Sequence, residues 1–253
     1  MAFWSSRAGG PSSSGVLPSP NIWRWPGVYE VENRAQDREH ALFVALRAAF
    51  DWAGLDVVDV GCGDGFHLPM LARDARSVVG VEPHPPLVRR ARRRVAGLDS
   101  IRVLAAGAQR LPLPDASVDL VHARTAYFFG PGCEPGLREA ERVLRPGGAI
   151  AIIDLDATRH PYGSWMRADL PDYSPADVED FFAAQGFDCR RVDTLWRFDD
   201  RESLGSVLRI EFSRRVAARA IAQTPGLTLP VGYRLHVRRR PATVLLPGGR
   251  PTS

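Results

Sequence analysis

The stretch Asp56-Val-Val-Asp-Val-Gly-Cys-Gly-Asp-Gly-Phe66 decides how the rest of this chain is read. Val57, Val58 and Val60 give it the β-branched character of a central parallel strand buried on both faces. Gly61, Gly63 and Gly65 then remove three side chains at alternate positions, which lets a ligand approach the backbone to contact distance. Apolar residues at near-helical spacing from Phe66 to Arg73 predict a helix whose N-terminal amides face the same ligand. The spacing D-x-G-x-G-x-G is one residue shorter than the G-x-G-x-x-G that holds a dinucleotide pyrophosphate, and an acid stands two before the first Gly.

Moving outward, Ser77-Val-Val-Gly-Val-Glu82 predicts a second buried strand, with Glu82 falling 17 residues after Gly65. A carboxylate at that strand end sits where a doubly wound sheet opens its ligand crevice, and it can accept two hydrogen bonds from a ribose diol. Ile101-Arg-Val-Leu-Ala105 predicts a third strand. It is followed by Ala106-Gly-Ala-Gln-Arg-Leu-Pro-Leu-Pro-Asp-Ala-Ser-Val-Asp-Leu-Val121, then Glu134 to Leu144 as a helix, and Arg145-Pro-Gly-Gly as a turn before the buried strand Ala149-Ile-Ala-Ile-Ile-Asp154.

Taken together these stretches resemble the class I S-adenosylmethionine-dependent methyltransferases of the type-11 methyltransferase domain family, over about Asp56 to Asp154. The resemblance implies an α/β fold: a doubly wound, Rossmann-like, seven-stranded and mostly parallel sheet, with an antiparallel last strand inserted between strands five and six. It implies S-adenosyl-L-methionine as cofactor. It also implies cofactor contacts from Asp59, Gly61, Cys62, Gly63, Gly65, Glu82, Pro83, Ala108, Gln109, Arg124 and Tyr29. Two departures occur in the adenine-binding loop: Gly107 stands where an Asp is common, and Gln109 where Glu is common.

Composition bounds the remaining readings. With 253 residues, 45% hydrophobic and 25% charged, the chain is expected to form one α/β domain. No apolar run reaches the roughly 20 residues a membrane helix needs, and no hydrophobic leader follows the N-terminus, so a cytoplasmic protein without membrane attachment is expected. Cys62, Cys133 and Cys189 are odd in number and widely spaced, which supports neither a disulfide framework nor a metal site. All 33 basic residues are Arg, which excludes a Lys Schiff base. The net charge of +4 is too modest to argue for nucleic acid. Five Arg crowd positions 89–94, and helical geometry spreads them over a solvated face, with Leu87, Val88, Ala91 and Val95 packed inward.

Around this core, residues 1–20 read as a disordered tail rich in Ser, Gly and Pro, and 21–253 as one domain. Within it, 21–52 is a lid and helix, 55–155 the cofactor core, and 156–253 the acceptor side and C-terminal strands. Trp23, Trp25 and Tyr29 lead a helix-like stretch running to about Trp52 and either cap the core or form a lid over cofactor and acceptor; as a lid, they would leave the sheet intact when removed. Val121 to Phe129 lacks the N/D-P-P-Y/F tetrapeptide of the enzymes that methylate adenine or cytosine amino groups. It offers Arg124, Thr125, Tyr127 and Phe128 to an organic acceptor, core packing being the alternative for Phe128 and Phe129. Asp154, Asp156, Arg159, His160, Tyr162 and Trp165 are expected to cluster at the active end of the sheet, with His160 the candidate general base and His67 the alternative. Farther on, a helix over 175–186, a strand from Cys189 to Phe198, a long helix from Glu202 to about Ala222 and a final edge strand from Val231 to Arg240 complete the chain. The expected reaction is methyl transfer to a small organic acceptor through O or N, with oligomeric state open. An RNA methyltransferase and a non-catalytic cofactor-binding protein are the alternatives.

Overall fold

The valine-rich runs form the centre of a seven-stranded sheet in a computed structural model that describes residues 19–242. In chain order the elements are α1 (Pro20–Arg24), α2 (Pro26–Ala35), α3 (Ala41–Ala49), β1 (Asp56–Val60), α4 (Leu68–Ala72), β2 (Ser77–Glu82), α5 (Pro85–Arg94) and β3 (Ile101–Ala105). They continue with β4 (Val118–Arg124), α6 (Glu134–Val143), β5 (Leu144–Leu155), α7 (Tyr162–Asp169), α8 (Pro175–Ala184), β6 (Asp188–Arg197), α9 (Arg201–Glu211), α10 (Arg214–Gln223) and β7 (Thr228–Arg239). The strand order is β3-β2-β1-β4-β5-β7-β6. β1 pairs in parallel with β2 and β4, which places the end of β1 at the point where the order reverses. β7 runs antiparallel to both β5 and β6. It is therefore an interior strand and not the expected edge strand, and β6 is the edge on that side.

Burial follows the sequence pattern. Val57, Val58 and Val60 are shut away on both faces, as a parallel strand covered by helices on both sides requires. One apolar layer joins α3, α4, α7, α9 and α10 to the sheet, and a second joins α6 and α8 to the opposite face. Asp119 near the start of β4 has a structural role: its Oδ2 accepts from the Asp56 backbone N–H at 2.9 Å and from Arg145 Nη1 at 2.7 Å.

Several local expectations are corrected. Residues 1–18 of the expected disordered tail lie outside the described residues, and Pro20 already opens α1, at the first-turn position that suits Pro. The stretch from Tyr29 to Trp52 is two helices, because Asp37 and His40 take left-handed backbone at φ 44° and 58°. The long helix expected from Glu202 breaks at Phe212-Ser213, where the Ser213 hydroxyl accepts from Val216 N–H and caps α10. Arg145-Pro-Gly-Gly lies inside β5, not before it. α4 has only five residues and starts three after Gly65, so no extended helix dipole backs the glycine loop.

His236 on β7 has no exposure, rests against the Phe182 ring at 4.5 Å, and neither ring nitrogen has a hydrogen-bond partner among the described residues. Burial and the nearby Arg234 press its pKa down to about 3. A group depressed in this way contributes stability that is complete above the unfolded value of about 6.5 and is lost as pH falls toward 3. Between pH 7 and 5 the wild-type chain is expected to lose about 2 kcal/mol more than His236→Phe. Parallel urea titrations at the two pH values check this, and equal losses in both proteins would rule it out.

Candidate active site

A cavity of about 650 Å³ opens at the C-terminal ends of β1, β2 and β4, within the range typical of small-ligand sites. Its floor is the glycine loop. Gly61 donates to Val81 O at 2.8 Å, and Gly63 N–H donates to Glu82 Oε2 at 3.1 Å while His84 N–H donates to Oε1 at 2.9 Å. These two bonds aim the Glu82 carboxyl into the cavity, where it is only 5% exposed. Burial raises its pKa to about 7 against the opposing pull of the two N–H groups.

Of the expected cofactor contacts, Tyr29, Gly61, Cys62, Gly63, Glu82, Pro83, Ala108, Gln109 and Arg124 line this one cavity. Asp59 and Gly65 do not. Asp59 points into the sheet, where its Oδ1 pairs with His122 Nδ1 at 2.8 Å, because alternate residues of a strand face opposite ways. Gly65, at φ 81°, lets α5 close on the loop; a Cβ there would stand 3.1 Å from Ala91. Cys62 stays a neutral thiol, since burial and the acids Asp59, Glu82 and Asp64 all push its pKa up. The two departures in the adenine loop are linked: the space for a side chain at position 107 is taken by Gln109 Oε1, 2.8 Å from where a Cβ would stand.

The expected cluster after β5 is corrected. His160 is exposed, does not line the cavity, and its Nδ1 lies 2.6 Å from Ser164 Oγ. Asp156 holds the next turn through Thr158 and reaches Arg191, while Tyr162 and Trp165 are core. His67, in the residue before α4, lines the cavity instead. Burial, with Arg124, His122 and Arg94, lowers its pKa well below the usual value, so the imidazole is neutral. The arginine-rich helix is also not uniformly solvated: Arg94 turns inward to Asp64 Oδ2 at 2.8 Å and to Glu30.

The far wall is aromatic and apolar. Tyr127, Phe129, Pro131, Tyr173 and Val178 line it, whereas Phe128 is buried in the core. Thr125 and Tyr127 both take left-handed backbone, at φ 46° and 45°. For a β-branched Thr this is a strained state of roughly 1–3 kcal/mol, of the kind that clusters at functional sites. Over the top, Trp23 stacks on His84 with centroids 4.4 Å apart and lines the cavity, while Trp25 is 41% exposed. Sequence reasoning missed Asn33, Gln36 and Asp64 as cavity residues; the two amides carry no motif and become visible only once α2 is placed.

A seven-stranded sheet of this order, with a glycine loop at its switch point and a carboxylate at the next strand end, makes this a doubly wound α/β domain with its cavity at the strand ends. Residues 58–152 match the family model for the methyltransferase domain. GfsG, a methyltransferase of Streptomyces halstedii, is 33% identical over 161 residues, 62% of this chain and 55% of GfsG. A demethylmenaquinone methyltransferase of Clavibacter sepedonicus is 29% identical over 170 residues, 64% of this chain and 67% of the relative. The crystal structure of YcgJ from Bacillus subtilis shares the fold at 17% identity and a TM-score of 0.58, covering 81% of this chain and all of YcgJ. Residues 58–152 therefore resemble a methyltransferase domain, and a relative from Mycolicibacterium smegmatis, 29% identical over 215 residues, 80% of this chain and 79% of the relative, is named a probable S-adenosylmethionine-dependent methyltransferase. The chain spans about half the length of the curated relatives it matches first. Among the described residues no helix is long and apolar enough to cross a membrane. The cavity residues fit a nucleoside cofactor without a pyrophosphate: the cavity holds a buried carboxyl for a diol, Arg94 is engaged by Asp64 and Glu30, and among the described lining residues Arg124 is the single Arg.

Proposed function

We propose that this protein transfers a methyl group from S-adenosylmethionine to an oxygen or nitrogen of a small organic acceptor. The observation that carries the reading is the continuity of one cavity from the Glu82 carboxyl to the aromatic wall of Tyr127, Phe129 and Val178. Glu82 would hold the ribose hydroxyls, Ala108 and Gln109 the adenine, and Tyr29 with Gly61 and Gly63 the amino-acid end. When bound, the cofactor supplies an electrophilic sulfonium methyl. The chain's own contribution is alignment and exclusion of water, and orientation alone is worth roughly 7–11 kcal/mol. His67, neutral in the cavity, can accept a proton from an acceptor O–H or N–H. Its depressed pKa makes it a weak base, which suits a neutral amine or an acidic hydroxyl better than an alcohol. The name of the demethylmenaquinone methyltransferase relative supports an organic acceptor and not a nucleic acid.

The test is pH-resolved binding followed by turnover. In the free protein Glu82 is protonated below about 7, whereas hydroxyl donors favour the carboxylate. Affinity for S-adenosylhomocysteine is therefore expected to be level above pH 7 and about tenfold weaker at pH 6 than at pH 8. Glu82→Gln should bind weakly with no such dependence. Calorimetry at pH 6, 7 and 8 reads this, and a pH-independent wild type would remove Glu82 from the site. Transfer of labelled methyl to a panel of phenols and amines then tests the reaction.

A further inference from the structure

Arg124 closes β4 with its side chain in the cavity and only 9% of its surface exposed. A guanidinium buried this far ordinarily faces a carboxylate. Here none of the described residues forms an ion pair with it. Its Nη2 donates to the neutral Gln36 Oε1 at 2.8 Å, its plane lies 5.6 Å from the Tyr233 ring centroid, with the Tyr233 hydroxyl beside it, and its Nε has no partner. The acids nearest to it make no ion pair with it. Glu32 is buried and held protonated beside Glu211, and Asp37, whose Oδ2 accepts from Leu42 N–H at 3.0 Å, attracts Arg124 only from beyond ion-pair distance. Tyr29 and His67, which share the cavity wall, are neutral.

A buried guanidinium without an ion pair is costly unless an anion arrives with a ligand. The place is also well prepared for one. Gln36 at the end of α2 and the Tyr233 ring on β7 fix the guanidinium from two sides, so its remaining donors keep one direction. A planar fork of donors matches a carboxylate or a phosphate, and with Arg124 the one Arg among the described lining residues the cavity suits the singly charged carboxylate. We propose that Arg124 is a carboxylate anchor in this cavity, so that a bound ligand presents a carboxylate to it as the counter-charge the fold omits. Two sources share that chemistry, the amino-acid end of the cofactor and an acidic acceptor. The inference rests on the cavity being the cofactor and acceptor site.

Arg124→Met keeps the bulk and removes the charge. Its apo form is expected to melt at or above the wild-type temperature, because an unpaired buried charge has gone; a variant that melts lower or fails to fold would make Arg124 a structural residue and overturn the proposal. Calorimetric titration with S-adenosylhomocysteine and with 5′-methylthioadenosine, which lacks the amino acid, separates the sources. A roughly ten- to hundredfold loss for the first and none for the second assigns the cofactor's carboxylate. Unchanged affinity for both, together with benzoate raising the melting temperature of the cofactor-loaded wild type but not of the variant, assigns an acceptor carboxylate. If neither the nucleosides nor benzoate distinguishes variant from wild type, the anchor is wrong. A wild type that binds neither nucleoside would refute the functional reading instead, and benzoate alone would then decide Arg124.

Discussion

Gly61→Val is expected to lower methyl transfer at least about 100-fold while the sheet stays folded, because a misplacement of about 1 Å at a reacting centre costs that much. Gly61 has φ 77°, which a β-branched residue resists, and a Cβ built on it would overlap the Ala126 methyl. Neither side can retreat. Ala126 sits between Thr125 and Tyr127, both already in left-handed backbone, and Thr125 N–H is tied to Ile153 O at 2.7 Å on β5. Gly61 itself is tied to Val81 O on the neighbouring strand. The substitution therefore pushes apart the two loops that form the floor and the acceptor wall, at a stability cost of about 1–3 kcal/mol for overpacking. Gly54→Ala is the control. It has similar backbone, φ 70°, but nothing within 4 Å of a Cβ, so it should cost stability and leave binding alone. Circular dichroism with calorimetric titration checks both, and a Gly61→Val protein that binds S-adenosylhomocysteine like wild type would show that the loop does not form the site.

What the sequence makes legible here is local chemistry. Val57, Val58 and Val60 announce a doubly buried strand because β-branched runs have few other uses, and the spacing of Gly61, Gly63 and Gly65 announces a loop that something must approach. Glu82 is legible because a lone acid ending an apolar strand must either face a crevice or be unsatisfied. The illegible parts depend on contacts between distant residues. Asp59 reads as part of the motif, yet its direction is set by His122, 63 positions later. His160 reads as well placed by following β5, but the chain turns away there and His67 occupies the cavity. The burial of Arg124 without an ion pair depends on Gln36 and Tyr233, which no motif joins.

The same limit governs the N-terminal segment, where the structure changes the expectation. Trp23 and Tyr29 line the cavity as a lid would, but α1 and α2 are anchored and not loosely laid over it. Asn21, with no exposure, donates to Glu211 Oε1 at 2.5 Å, and Tyr162 OH donates to Oε2 at 2.7 Å. Glu32 on α2 is kept protonated by burial and by Glu211 beside it, and its Oε1 accepts from Gln36 Nε2 at 2.7 Å. One acid of α9 thus fastens both helices, and Gln36 carries the connection on to Arg124. α1 has five residues, far below the length at which a helix holds itself in water, so this fastening decides whether it stays. Glu211→Ala is expected to cost roughly 3–5 kcal/mol, since it strands the Asn21 amide, the Tyr162 hydroxyl and the Glu32 carboxyl in a buried site. Removal of residues 1–30 should destabilise comparably and not leave the domain intact. Cleavage by trypsin at Arg24 and Arg34 should be slow in the wild-type protein without any ligand and fast in Glu211→Ala. Rapid cleavage of the wild type that slows only on adding S-adenosylhomocysteine would instead restore a mobile lid, and a Glu211→Ala protein that melts with the wild type would show that α9 does not hold it.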